Sequence, residues 1–258
     1  MQKIAIVLGF CLISGFVQAA QINSGTCTAT SGKTANVLLE LYTSEGCSSC
    51  PPADEWIARF RTSKLYPDRV VPLALHVDYW NYLGWEDPYS DKRHTQRQYS
   101  VARLQRARTV YTPQLLLNGK DFLRWRHQGM TAIESAIMAP ARADLTLMLE
   151  RGENVLNITV KARAAEHGVR SDLFIVLYEN NLTNHVRAGE NDGRTLQHEF
   201  VARHWLGPMP LGNDGTAHVT QRLELDKKWK TNDLGVAAFV QNRDNGEVWQ
   251  ALARPLCS

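Results

Sequence analysis

The chain has 258 residues, and its 29 Lys and Arg residues against 26 Asp and Glu give a net charge of +3. An apolar content of 44% beside 21% charged residues is typical of a globular chain with enough apolar side chains for a sizeable core. The nearly balanced charge argues against a nucleic-acid-binding protein. The length suits one large domain or two ordinary ones.

The first residues predict a secretory signal. Lys3 precedes an apolar run from Ile4 to Val17, and the run is followed by the small residues that signal peptidase prefers. This run is too short for a membrane span. We therefore expect residues 1–19 to be a signal peptide and residues 20–35 to be an exposed lead-in. The mature protein should be exported, to the periplasm, and should contain no integral membrane segment.

A cysteine pair follows the first strand pattern of the mature chain. Residues 37–42 are rich in strand formers, Cys47 and Cys50 come next, and Pro51 and Pro52 are suited to the first turn of a helix. The free N–H groups and the positive dipole at a helix N-terminus stabilise a thiolate. We predict that Cys47 is an exposed nucleophile and that Cys50 is its resolving partner.

Further elements follow in an α/β order. The apolar pattern predicts a second strand over residues 69–79, a basic helix over 91–108, a strand over 114–120 that ends in an Asn-Gly hairpin signal, and a helix over 130–139. Strand, helix, strand implies a parallel pair with a right-handed crossover. Because reactive groups gather beyond the carboxyl ends of such strands, Asp78 and Trp80 should lie beside the Cys47 turn.

From residue 144 onward the pattern consists of strands alone. About seven short alternating strands, one of them over residues 194–204, are separated by turn signals such as Asp244-Asn245-Gly246. This arrangement describes a β-sandwich. We therefore predict an α/β domain over residues 36–140 and an all-β sandwich domain over residues 144–258.

The cysteines permit more than one pairing. Removal of the signal leaves Cys27, Cys47, Cys50 and Cys257. Since Cys47 and Cys50 are close in sequence, Cys27 with Cys257 is the natural second pair and would join the two ends of the mature chain. The alternative is that Cys27 and Cys257 are free or pair between molecules. The C-x-x-C spacing can also be half of a zinc site, but no second cysteine or histidine pair follows it.

The order of these parts resembles the thioredoxin fold over residues 36–139. That resemblance implies that Pro113 is a cis-proline beside the cysteine pair and that the backbone of Thr112 pairs with an extended substrate. Longer motifs at residues 40–54, 76–85, 110–114 and 189–196 look like the signature of the secreted domain-of-unknown-function 1223 family. The family indicates fold and export, whereas its activity is not defined.

These observations predict an exported thioredoxin-like thiol-disulfide oxidoreductase. It would exchange disulfides with protein or small-thiol substrates and with an unknown redox partner, and it requires no cofactor. We expect Asp78 to accept a proton from Cys50 during exchange, and Trp80, Thr112 and Pro113 to contact the substrate.

Two other functions remain open. The chain can be a binding or adaptor protein in which Cys47–Cys50 is a structural disulfide. It can also handle copper, since thiolates of Cys47 and Cys50 with the imidazole of His76 suit that metal. The cluster from Gly189 to His198 is either a ligand site on the sandwich or a set of turns and cross-strand pairs.

Overall fold

The computed structural model describes residues 25–166 and 168–257, so the predicted signal peptide lies outside the described residues. No helix within these ranges is long and apolar enough to cross a membrane. The elements, in chain order, are β1 Thr26–Thr30, β2 Val37–Thr43, α1 Pro51–Ala58, β3 Val70–His76, α2 Lys92–Leu104, β4 Gln114–Leu117, β5 Lys120–Asp121, α3 Trp125–Ala136, β6 Ala143–Arg151, β7 Val155–Ala164, β8 Ser171–Glu179, β9 Leu182–His185, β10 Thr195–His198, β11 Val201–Pro210, β12 Thr216–Glu224, β13 Leu234–Asn242 and β14 Val248–Pro255.

One large sheet runs through most of the molecule. Its eight strands stand in the order β14-β13-β8-β11-β3-β2-β4-β5. Strands β2 and β3 are parallel, with Val37 opposite Val70, and β4 is antiparallel to β2. The other edge of β3 pairs in parallel with β11, where Val201 lies opposite Ala74. The Ala74 N–H donates to the carbonyl of Phe200 at 2.8 Å, which joins the two halves of the sheet.

The predicted fold class is therefore wrong. The described chain consists mostly of strands in several sheets, and β2 to β5 do not form the sheet of a separate α/β thioredoxin-like domain. They continue into β11, β8, β13 and β14 instead. The physical reason is that the second edge of β3 offers backbone N–H and C=O groups, and β11 pairs with that edge at Ala74.

Strand β8 shows how the large sheet serves two cores. All nine of its residues are buried. Because successive side chains point to opposite faces, Leu173, Ile175 and Leu177 pack into one cluster while Phe174 and Val176 pack into the other. A strand that is covered on both faces has a continuous apolar sequence, as residues 173–177 do.

The sandwich part of the prediction is confirmed. A four-stranded sheet, β1-β6-β7-β12, packs against β8, β13 and β14. Strand β1 lies antiparallel to β6 and forms part of what the sequence predicted as an exposed lead-in. The disulfide Cys27–Cys257 joins β1 to the end of the chain, with the Cα atoms 5.9 Å apart.

The strand expected over residues 194–204 is divided into β10 and β11, since Phe200 between them adopts a left-handed conformation with φ 59°.

The basic helix α2 is fastened to the large sheet by one buried arginine. Arg97 donates from Nε and Nη2 to the two carboxylate oxygens of Glu40 at 2.9 and 3.1 Å, and from Nη1 to Gln241 at 2.6 Å. Its guanidinium also lies 4.8 Å from the centroid of the Phe174 ring. The Arg97 side chain is only 6% exposed, so this residue does not belong to the solvated face that basic helices usually present.

Candidate functional site

The cysteine pair lies in the turn between β2 and α1. Cys47 and Cys50 form a disulfide with their Cα atoms 5.5 Å apart. Cys50 is the N-cap of α1, and its carbonyl accepts hydrogen bonds from the N–H groups of Ala53 and Asp54. Pro51 occupies the first helical position, where its missing N–H has no consequence. The disulfide therefore stands at the N-terminus of a helix.

The sulfur atoms are nevertheless covered. Cys47 is 1% exposed and Cys50 is 0% exposed, whereas Ser48 and Ser49 between them are exposed. The predicted exposure of Cys47 is therefore wrong for this structure. Its surroundings are partly polar, since Cys47 Sγ lies 3.4 Å from the hydroxyl oxygen of Ser49.

A segment distant in sequence is hydrogen-bonded to the cysteine turn. We call the 3-10 helix Gly189–Asn191 the covering segment. Asn191 Nδ2 donates to the carbonyls of Glu45 and Cys47 at 2.8 and 3.0 Å. Ser48 donates from its N–H and its hydroxyl to Glu190 Oε2 at 2.9 and 2.7 Å. These two bonds lower the pKa of the exposed Glu190 carboxyl. Four hydrogen bonds thus hold the covering segment against the cysteine turn.

Trp80 connects the cysteine turn to Thr112. Its indole N–H donates to the Thr112 hydroxyl at 2.7 Å, and the Thr112–Pro113 peptide bond is cis. A Cβ atom at Gly46 would lie 3.1 Å from Trp80 Cβ, so the chain beside Cys47 packs closely on this tryptophan. The structure therefore brings Trp80 and Thr112 to the cysteine turn. Their predicted contact with a substrate stays a prediction.

Asp78 makes contacts that fix α2. Its carboxylate accepts from the Thr95 hydroxyl at 2.5 Å, and the Asp78 N–H donates to that hydroxyl oxygen at 3.2 Å.

A carboxylate that the sequence did not single out lies closer to the cysteines along the chain. Asp54 is on the first turn of α1 and accepts from Thr43 Oγ1 at 2.9 Å. Burial raises the pKa of Asp54, although the imidazoles of His198 and His76 oppose this effect.

His76 belongs to a buried polar cluster at the end of β3. Its Nδ1–H donates to Asp87 Oδ2 at 2.7 Å, and its ring lies edge-on to that of His198, with the centroids 4.8 Å apart. Burial opposes the charged form of His76, but Asp87, Asp54 and Glu45 together raise its pKa. The cysteines expected as its copper-binding partners are joined to each other. Among the described residues, the group that could hold a metal ion around His76 consists of Asp54 and His198 instead.

Glu45 connects this cluster to the covering segment. Its carboxylate accepts from the Trp85 indole N–H at 2.8 Å, from Asn184 Nδ2 at 2.8 Å and from His198 Nε2 at 3.0 Å. Its backbone carbonyl accepts from Asn191. Sequence reasoning did not single out Glu45, and it named His198 only as the last residue of the possible ligand cluster that begins at Gly189. The signal present was that Glu45 and the covering segment lie in two of the long motifs, but a motif does not reveal that its residues meet across the fold.

Comparison with known proteins identifies the family. Residues 38–241 match the family described as Protein of unknown function (DUF1223). The chain belongs to this family. A solved structure of a protein from Agrobacterium tumefaciens is similar with 25% identity and a TM-score of 0.59, over 86% of this chain and 95% of that one. HBP35 of Porphyromonas gingivalis is similar with 21% identity and a TM-score of 0.65, over 88% of this chain and 76% of that one.

The comparison with curated proteins finds no match. For this DUF1223 member, the likeness to HBP35 shows the fold alone. Two disulfides in one chain are typical of exported proteins, because the cytosol keeps thiols reduced.

Proposed function

We propose that this DUF1223 protein catalyses thiol-disulfide exchange through Cys47 and Cys50. The observation that carries the proposal is the position of the disulfide at the N-terminus of α1, with Cys50 as the N-cap. When the bond is reduced, the dipole and the unpaired N–H groups of the helix stabilise a thiolate there. A purely structural bond has no need of such a position.

The chemistry requires two exchange steps. A substrate thiolate attacks Cys47 Sγ, the Cys47–Cys50 bond breaks, and Cys50 leaves as a thiolate. A second substrate thiolate then attacks the mixed disulfide, which releases substrate disulfide and leaves both cysteines reduced. In the opposite direction the Cys47 thiolate attacks a substrate disulfide and Cys50 resolves the intermediate. The substrates are protein or small-molecule thiols and disulfides.

We expect access to the sulfur to require movement of the covering segment. An attacking thiolate must reach Cys47 Sγ in line with the disulfide, yet Cys47 is 1% exposed. The hydrogen bonds from Ser48 to Glu190 and from Asn191 to Cys47 must therefore open during exchange. The two bonds from Ser48 to Glu190 are exposed and open with small free energies, whereas the bond from Asn191 to Cys47 is buried and is expected to resist opening more.

We place the exchange in the periplasm. The support is the predicted secretory signal over residues 1–19 together with the two disulfides. Thiol exchange in that compartment requires a redox partner, which we expect to be a second exported or membrane-anchored thiol protein.

The test is to trap the intermediate. A Cys50→Ala variant retains the attacking thiol and cannot resolve, so it should accumulate mixed disulfides with periplasmic proteins. The matched control is the double variant Cys47→Ala, Cys50→Ala, which should trap nothing. Equilibration of the wild-type protein with glutathione buffers measures the reduction potential. No adduct with Cys50→Ala, together with a disulfide that resists reduction by those buffers, would contradict the proposal.

A second candidate is favoured by the burial of both sulfur atoms. In a binding or adaptor protein, Cys47–Cys50 would only fix the turn between β2 and α1, and the bond would need no access. The variant Cys47→Ser, Cys50→Ser separates the two functions. An adaptor keeps its biological function in this variant, whereas an exchange protein loses it.

A further inference from the structure

Two histidines and a carboxylate converge at the base of α1. Asp54 of α1, His76 of β3 and His198 of β10 each direct one ligand atom to a common point, and these three atoms lie within 4.8 Å of one another. All three side chains are buried. Three separate elements of the fold therefore assemble a group that is not adjacent in the sequence.

The outer nitrogen of each imidazole is held by a carboxylate. His76 Nδ1–H donates to Asp87 Oδ2 at 2.7 Å, and His198 Nε2–H donates to Glu45 Oε1 at 3.0 Å. Histidines that bind metals in proteins are usually oriented in this way, because the outer hydrogen bond fixes the tautomer and directs the other lone pair at the metal. Glu45 and Asp87 are themselves fully or almost fully buried.

The inner nitrogens are buried and have no partner. Neither His76 Nε2 nor His198 Nδ1 makes a hydrogen bond within residues 25–166 and 168–257. A buried polar atom without a partner is unusual in a folded protein. The closest oxygen to His198 Nδ1 is Asp54 Oδ1, at 4.0 Å, which is too far for a hydrogen bond. The lone pairs of His76 Nε2 and His198 Nδ1 and a carboxylate oxygen of Asp54 thus lie close together with no hydrogen-bond donor among the described residues to pair with the two nitrogens.

We propose that Asp54, His76 and His198 bind a divalent first-row transition metal ion, and that zinc suits the three donors. Imidazole nitrogen and carboxylate oxygen are ordinary zinc ligands, at about 2.0–2.2 Å. Ligand atoms of a tetrahedral zinc site lie about 3.3 Å apart, so the 4.0 Å pair of Asp54 and His198 must close by less than about 1 Å, and the widest pair by up to about 1.5 Å. One divalent ion would satisfy both unpartnered nitrogens.

Charge also favours a cation at this point. The carboxylates of Glu45, Asp54 and Asp87 are all buried within the same cluster. A metal ion supplies positive charge and accepts the lone pairs at once.

A cleft lies beside two of the three proposed ligands. A cleft of about 170 Å³ is lined by Asp54 and His198 together with Pro51, Glu55 and Leu196. This cleft opens beside the start of α1. The bound ion would therefore link α1 to β10, next to the strand hairpin that carries the covering segment.

The experiment measures zinc binding to the full chain, purified untagged and with both disulfides intact. Chelator-treated wild-type protein is titrated with Zn²⁺ by calorimetry and should bind one ion per chain. Asp54→Asn, which keeps the shape of the side chain, and His198→Gln should each weaken binding at least about 10-fold. His127→Gln, a change of an exposed histidine on α3, is the matched control and should bind as the wild type does.

Cobalt substitution tests the donor set without any variant. Co²⁺ in the wild-type protein should give the visible spectrum of nitrogen and oxygen coordination. A sulfur-to-metal charge-transfer band, in protein whose Cys47–Cys50 bond has been reduced, would overturn the proposal in favour of a site at Cys47 and Cys50. Absence of zinc binding, or binding that is unchanged in both Asp54→Asn and His198→Gln, would also overturn it. None of these results depends on thiol-disulfide exchange.

Discussion

Replacement of Arg97 by Met tests how α2 is attached to the large sheet. The change removes a guanidinium that makes two bonds to Glu40 and one to Gln241, and it leaves the 0% exposed Glu40 carboxylate without its cation. Loss of one partner of a buried ion pair destabilises a protein by about 3–5 kcal/mol, chiefly because the other charge remains buried. Burial by itself would favour a neutral Arg97, but the Glu40 carboxylate raises the pKa of this arginine.

The expected loss is large enough to measure in two ways. For a chain of this length, 1 kcal/mol shifts the melting temperature by about 2–4 °C, so Arg97→Met should lower it by about 6–20 °C. Urea unfolding at neutral pH, with both disulfides intact, gives the free energy directly. Arg103→Met is the control, because Arg103 lies on the exposed side of α2 and bonds only the Ser100 hydroxyl among the described residues. Its effect should stay within about 0.5 kcal/mol.

The double variant Glu40→Leu, Arg97→Met sharpens the test. If the cost arises from an uncompensated charge, removal of both partners should cost clearly less than Arg97→Met alone, since no charge then remains buried. A loss below about 1 kcal/mol for Arg97→Met, or a double variant as unstable as the sum of the two single changes, would refute the reasoning.

Three other predictions follow from the described contacts. Asn191→Ala removes two hydrogen bonds of the covering segment. Dithiothreitol should therefore reduce the Cys47–Cys50 disulfide about 10-fold faster in this variant than in the wild type. An unchanged rate would show that the segment does not limit access. Replacement of Cys27 and Cys257 by Ser should lower the free energy of unfolding by up to about 5 kcal/mol in urea unfolding, because their disulfide closes a loop with a sequence separation of 230 and so restricts the unfolded chain. A cost near zero would contradict this entropic explanation. Burial lowers the pKa of His94 to about 4, below its ordinary 6.5, so between these pH values the unfolded chain binds a proton that the folded chain does not. The free energy of unfolding should therefore fall by about 3 kcal/mol as the pH drops from about 6.5 to 4. His94→Gln should abolish this part of the pH dependence in urea titrations.

The local elements could be read from the sequence because their signals are local. Apolar runs predicted β2 and β3 to within a few residues, and the helical spacing of apolar residues predicted α2. The C-x-x-C spacing and the even count of cysteines after the signal predicted both disulfides. These inferences use only residues that are near in sequence or a count of cysteines, so they need no knowledge of the packing.

The pairing of distant strands was not available in this way. Every strand edge offers the same N–H and C=O groups, and nothing in residues 70–76 specifies that β11 is their partner. The single parallel contact between Val201 and Ala74 joins β2–β5 to the other half of the large sheet. The fold class was therefore wrong although most of its elements were right.

The candidate site shows the same division. The sequence by itself determined that a cysteine pair precedes a proline-led helix, because that order is a property of adjacent residues. Only the tertiary structure decided that the covering segment is hydrogen-bonded to Cys47 and that His198 meets His76 and Asp54. Such contacts depend on how the chain folds between residues that are distant in sequence. A cysteine becomes buried, and a buried histidine nitrogen is left without a hydrogen-bond partner, only when the chain has folded.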